Sequence, residues 1–178
     1  MNSQQNEFMT MAVPAAIASA RATRVPASIT IAQAILESGW GETKLASQFN
    51  NFFGIKANQA QLADHDYCEF TSDEVENGKT VKVPGEEFAQ YASPAECFTA
   101  HAQLLCRPHY AAAMACAADP DKFAWALGPR IPGHPEGCGY STLPQYHDRL
   151  MQLVRLYDLK QYDVPESVDV SKATGVTQ

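Results

Sequence analysis

A mostly helical α+β domain with a single β-hairpin is the fold class that this sequence predicts. Three observations carry the prediction. Apolar residues recur at helical spacing near both ends of the chain: Phe8, Met11, Ile17 and Ala20, then Ile29, Ala32 and Leu36, and last Tyr146, Leu150, Leu153, Val154 and Tyr157. A middle stretch alternates instead and is split by Asn77-Gly78, a strong two-residue turn signal. The length of 178 residues suits one domain with a sizeable core, since domains hold roughly 100–200 residues.

Taken in order, residues 8–23 form an Ala-rich helix that contains Pro14. A break at Arg24-Val25 leads to a second helix opened by Pro26-Ala27-Ser28, where proline suits the first turn. Gly39 and Gly41 flank Trp40 and stop that helix, because glycine readily takes the left-handed cap conformation. A short helix over 42–48 precedes the loop Asn50-Asn51-Phe52-Phe53-Gly54. The character changes at Asp66: residues 67–71 and 80–83 read as the two strands of the hairpin. Ser93-Pro94-Ala95-Glu96 resembles a capping box ahead of a helix over 98–106, and Asp119-Pro120-Asp121 caps another through Leu127. Gly128 to Gly139 is a Gly- and Pro-rich loop, and Leu143-Pro144 opens the last amphipathic helix. The domain spans 1–163; residues 164–178 are a polar tail.

Composition excludes several classes. With 46% hydrophobic and 19% charged residues the chain is globular, not disordered. Thirteen Lys and Arg against twenty Asp and Glu give a net charge of −7 with no basic cluster, which disfavours nucleic-acid binding. No apolar run approaches the roughly 20 residues of a membrane span. The first seven residues lack a basic and apolar leader pattern. Five cysteines, an odd count without C-x-x-C spacing, argue against a zinc ribbon; one or two disulfides are open in an oxidising compartment.

The chemically sharpest stretch is Leu36-Glu37-Ser38-Gly39-Trp40-Gly41. A carboxylate at the end of an apolar helix, just before a glycine turn, sits where the turn holds a surface open. Packing beside Trp40 or Phe52 would disfavour its ionised form and let it donate a proton near neutrality. A solvated helix-end glutamate is the alternative.

These residues, followed by Leu45-Ala46 and Asn50-Asn51-Phe52-Phe53-Gly54-Ile55-Lys56, resemble the bacterial glucosaminidase family, glycoside hydrolase family 73. Three later blocks agree in order: Glu74-Val75-Glu76-Asn77-Gly78, then Phe88-Ala89-Gln90-Tyr91-Ala92-Ser93 with Cys97-Phe98, then Tyr140-Ser141-Thr142-Leu143-Pro144-Gln145-Tyr146. The likeness runs from about residue 8 to 158. Leu143 stands where the family usually has Asp, and Ala89 where it has Arg.

The resemblance implies a lysozyme-like fold and an endo-β-N-acetylglucosaminidase acting on peptidoglycan, with no cofactor or metal. It puts the general acid on Glu37 and the second carboxylate on Glu74, a hairpin residue expected to stand farther from Glu37 than direct displacement allows. It places Tyr140 at the cleavage subsite; Trp40, Phe52, Phe53 and Tyr146 are further substrate candidates, and Asn51 and Lys56 either contact the glycan or fix their loop. Aromatic rings suit the apolar faces of sugars, and core packing is the other use of the same rings. A muramidase or transglycosylase specificity, or an inactive glycan-binding module, is the alternative reading. A wall hydrolase acts in the periplasm or outside the cell. It is expected to be a monomer, delivered as part of an exported chain, by phage lysis or by a secretion system, with an immunity protein as a further partner.

A Cys/His hydrolase is the rival chemistry, with Cys97 near a helix start and His101, His109 and His147 as bases. The apolar pattern around Cys97 favours a buried structural thiol, and Cys106 reads the same way. A metal site from His101, Cys106 and His109 lacks a recognisable ligand motif.

Overall fold

The structure is a computed structural model. It describes residues 1–76 and 79–163, with the backbone alone over 70–84; the Asn77-Gly78 turn and the 164–178 tail lie outside the described residues. Eight α-helices and two strands follow in the order α1 (Ser3–Thr23), α2 (Ala27–Ser38), α3 (Lys44–Phe49), α4 (Gln59–Asp64), β1 (Tyr67–Glu76), β2 (Lys79–Ala89), α5 (Pro94–Leu105), α6 (Ala111–Met114), α7 (Pro120–Ala126) and α8 (Tyr146–Leu156). Short 3₁₀ turns cover Pro108–Tyr110 and Leu159–Tyr162.

The core is helical. α2 is its centre: Ala27 to Ile35 are buried without a break, Ile29, Ile31, Ala32 and Ala34 completely. A helix apolar on every side belongs inside a bundle, and α1, α8 and the Leu159–Tyr162 turn pack around it. α1 begins at Ser3, five residues earlier than its apolar spacing indicates, because Asn2 and Gln5 form a reciprocal capping box. It ends at Arg24, which takes a left-handed conformation. α8 begins at Tyr146, not at Leu143-Pro144. Two features were not read from the sequence: α4, opened by a capping box of Asn58 and Gln61, and the turn-and-helix run over 108–114.

The strands pair antiparallel from Tyr67↔Ala89 to Glu76↔Lys79, with an irregularity between Phe70 and Ser72. β2 extends to Ala89, six residues past the alternating stretch. Its end is held from the other side: Ala89 N–H donates to Ile55 O (2.9 Å), Ala57 N–H donates to Glu87 O (3.0 Å), and Lys56 bridges Phe88. The hairpin is thus tied to the 55–57 strip. Among the described residues no helix is long and apolar enough to cross a membrane.

Candidate active site

Burial of α2 places the first reactive group. The helix leaves the core at its last turn, where Leu36 is half-buried and Glu37 is exposed. Gly39, at φ 56°, ends it by donating its N–H to Ile35 O. Glu37 enters a cleft of about 610 Å³. Phe53, Lys56, Arg107, Tyr110 and Tyr140 also line this cleft, and Glu37 is the sole carboxylate among its described lining residues.

Two hydrogen bonds orient that carboxyl. Gln33 Nε2 donates to the Tyr146 hydroxyl (3.0 Å), and Tyr146 donates to Glu37 Oε1 (3.1 Å). Glu37 reaches solvent, yet the surrounding walls crowd it. Loss of water raises its pKa above the ordinary carboxylate value, and the Tyr146 hydrogen bond opposes the rise without cancelling it. The negative end of α2 acts in the same direction as crowding. Oε2 has no hydrogen-bond partner among the described residues and can carry a proton toward a bound group.

The loop after α3 is shaped by Asn51, which is 1% exposed. Its Nδ2 donates to Ile55 O (2.9 Å) and Ala89 O (2.8 Å), while its Oδ1 accepts from Ile55 N–H (3.0 Å). Phe53 emerges from this loop stacked on His101, ring centroids 3.8 Å apart and 13° between planes. His101 in turn meets the edge of Tyr140 at 5.9 Å. Burial lowers the His101 pKa to about 3, so the imidazole is neutral and acts as an aromatic support behind Phe53 and Tyr140, the two rings that line the cleft.

The cleft brings together Glu37, Phe53, Lys56 and Tyr140, with Tyr146 directly behind. It does not bring together the others. Trp40 packs on Phe8 and Tyr157, ring centroids 5.5 and 4.9 Å away. Phe52 is buried against Phe8 and Phe98. Neither lines the cleft, and both are packing residues. Asn51 has its side chain fully engaged by backbone groups, so it shapes the loop and leaves no group for a sugar. Glu74 pairs with Val81 in the hairpin ladder; its side chain, and hence the expected separation from Glu37, lies outside the described residues. Gln33, Tyr110 and Arg107 were not read as site residues, and His101 was read only as a base or metal ligand, not as a ring support. For Gln33 a signal existed, because it precedes Glu37 by four positions and shares its helix face.

The setting of Cys97 is that of a structural thiol. Cys97 is fully buried and accepts the Phe52 N–H at 3.4 Å; burial pushes its pKa up to about 12. A reactive cysteine needs the opposite shift and a basic partner, whereas the buried His101 is depressed. All five cysteines are free, and Cys106 is exposed at the end of α5, not helix-buried as its pattern indicates.

A helical lobe with a hairpin tied to the rim of its cleft, and a crowded carboxyl at the end of the central helix, defines the lysozyme-like class of fold. The chain belongs to the glucosaminidase family, described as mannosyl-glycoprotein endo-β-N-acetylglucosaminidase, whose sequence pattern matches residues 13–159. It is similar to the exo-glucosaminidase LytG of Bacillus subtilis, with 38% identity over 142 residues covering 76% of this chain and 45% of that protein. It is also similar to the peptidoglycan hydrolase FlgJ of Salmonella typhimurium, with 32% identity over 149 residues covering 82% of this chain and 43% of that protein. The catalytic domain of the autolysin Auto from Listeria monocytogenes shares the fold, with a TM-score of 0.74 at 24% identity over 92% of this chain and 89% of that one. This chain spans less than half the length of the two curated relatives.

Proposed function

We propose that the chain is a peptidoglycan hydrolase that cuts the glycan strand at N-acetylglucosamine, as an endo-β-N-acetylglucosaminidase. The observation that carries this reading is the Glu37 carboxyl, crowded in an open cleft and held by Tyr146 with one oxygen free. Glycosidases need a protonated carboxyl to assist the leaving oxygen. Glu37 Oε2 gives that proton, while Tyr140 and Phe53 offer ring faces to the sugar. Glu74 supplies the second carboxylate from the hairpin, and the 2-acetamido group of the substrate offers an internal nucleophile that Glu74 would orient. The names of the LytG and FlgJ relatives support the substrate class. Residues 1–163 are the catalytic unit, acting as a monomer on the wall in the periplasm or outside the cell. Delivery by a secretion system or phage, and an immunity protein, are partners that this reading allows.

The test is digestion of purified cell walls. Positioned acid catalysis contributes about 10²–10⁴-fold, so Glu37→Gln should lose at least that much rate with an unchanged circular dichroism spectrum, and Glu74→Gln should lose less. A Glu37→Gln variant near the parent rate sinks the assignment. Borohydride reduction of the products should yield a reduced glucosamine end; reduced muramic acid would mean a muramidase or transglycosylase. Fragments of several disaccharides early in digestion support cutting within the strand, and release of single sugars alone opposes it.

A further inference from the structure

The charge of the cleft runs against that of the chain. The whole carries −7, but the described residues lining the cleft hold two cations, Lys56 and Arg107, against the single carboxylate of Glu37. With Glu37 protonated, as acid catalysis requires, both cations are unopposed within the lining. The two are not equivalent. Lys56 is already engaged: it pairs with Glu86 and lies 3.8 Å over the Phe88 ring. Arg107 has its backbone fixed and its side chain exposed. Its N–H donates to Leu104 O (3.1 Å), its carbonyl accepts from Tyr110 N–H (2.9 Å), and Pro108 follows. No carboxylate pairs with its guanidinium among the described residues.

An unpaired guanidinium on a fixed stretch of backbone is a fork for a carboxylate, which it meets with two parallel hydrogen bonds. An acidic chain also repels an acidic polymer, and a local cation offsets that repulsion where the strand must enter. Resting on the peptidoglycan reading above, we propose that Arg107 is a specificity-determining residue that binds a carboxylate carried by the glycan. The chemistry is common to the lactyl ether and to the stem peptide. Either would make acid-bearing strands better ligands than neutral ones.

Calorimetric titration in the Glu37→Gln background measures affinity without cleavage. Four length-matched tetrasaccharide probes are used: strands with stem peptides, strands stripped to the lactyl acid, strands with every carboxylate amidated by carbodiimide and ammonia, and chitin tetrasaccharide. An exposed charge-assisted contact predicts about three- to tenfold tighter binding of acid-bearing than of amidated strands. Adding Arg107→Gln should bring that ratio close to one, Arg107→Lys should leave an intermediate ratio, and Arg21→Gln, outside the cleft, should leave it unchanged. Tight binding of the stripped strand assigns the lactyl acid; tight binding only with stems assigns the peptide. The proposal is overturned if the ratio survives Arg107→Gln, if Arg21→Gln removes it equally, or if acidic and amidated strands bind alike. A merely structural role for Arg107 would lower the melting temperature and leave the ratio intact. Selective binding without wall digestion by the unsubstituted chain overturns the hydrolase reading alone; absence of binding to every strand overturns both.

Discussion

Glu37 is subject to two opposed influences, and crowding wins. Its tyrosine partner favours the ionised form, since the hydroxyl donates to the carboxylate, while the cleft walls take away water and favour the protonated form. Tyr146→Phe removes only the opposing influence. The pKa of Glu37 should then rise further, so the acid stays protonated to higher pH and the alkaline limb of the rate profile moves up. The same change strands Gln33 Nε2 in the core, at a cost of about 1–3 kcal/mol read from urea unfolding. The thiols sort by exposure: a small thiol reagent under native conditions should label Cys106 first and spare Cys97. Wall digestion should continue after that labelling, and rapid inactivation tracking Cys97 would restore the thiol chemistry.

At the scale of elements, each piece that positions the site is held by residues distant in sequence. α2 opens at Pro26, which has no side chain to cap it. Asp163 serves instead, accepting the Ser28 N–H at 2.8 Å from the other end of the described chain. Burial raises the Asp163 pKa and that N–H opposes the rise. Asp163→Ala should cost about 1 kcal/mol, as loss of a helix cap does, seen as a lower urea midpoint with an unchanged slope. The hairpin is positioned the same way. Asn51 and the 55–57 strip hold the end of β2, so the ladder that carries Glu74 is tied to the loop that carries Phe53.

Across the whole molecule, Trp40 joins parts that the cleft does not. It takes φ 62°, between Gly39 at 56° and Gly41 at 80°, an unfavourable conformation for a bulky side chain. Ring contacts to Phe8 in α1 and to Tyr157 after α8 offset that strain. Trp40→Ala should destabilise by about 2–3 kcal/mol, below the usual range for a fully buried tryptophan because Trp40 is half-buried. That corresponds to a fall in melting temperature of about 4–12 °C for a domain of this size. Activity measured well below the new melting point should remain, because the indole does not line the cleft. A large loss of rate in a folded Trp40→Ala variant would return this residue to the substrate.

The sequence by itself determined the long helices, the hairpin and the place of Glu37 at a helix end; the short α4 and the 108–114 run were not legible in it. Helical spacing, glycine turns and the helix-end carboxyl are short-range patterns, written within one or two turns of chain. Tertiary structure alone decided which neighbour faces the cleft. Phe52 and Phe53 are adjacent, equally buried and both pack on Phe98, yet one turns to Phe8 while the other stacks on His101 and lines the cleft. Trp40 reads as a sugar contact and Asn51 as either a sugar contact or a loop support, and partners 32 and 38 residues away made them packing and loop supports. Arg107, Asp163 and the exposed Cys106 had no local signature, because a cap or a cleft wall is defined by what the rest of the chain brings beside it. Local patterns set the conformation of each segment. Only the packed assembly sets which side chain is left free to act.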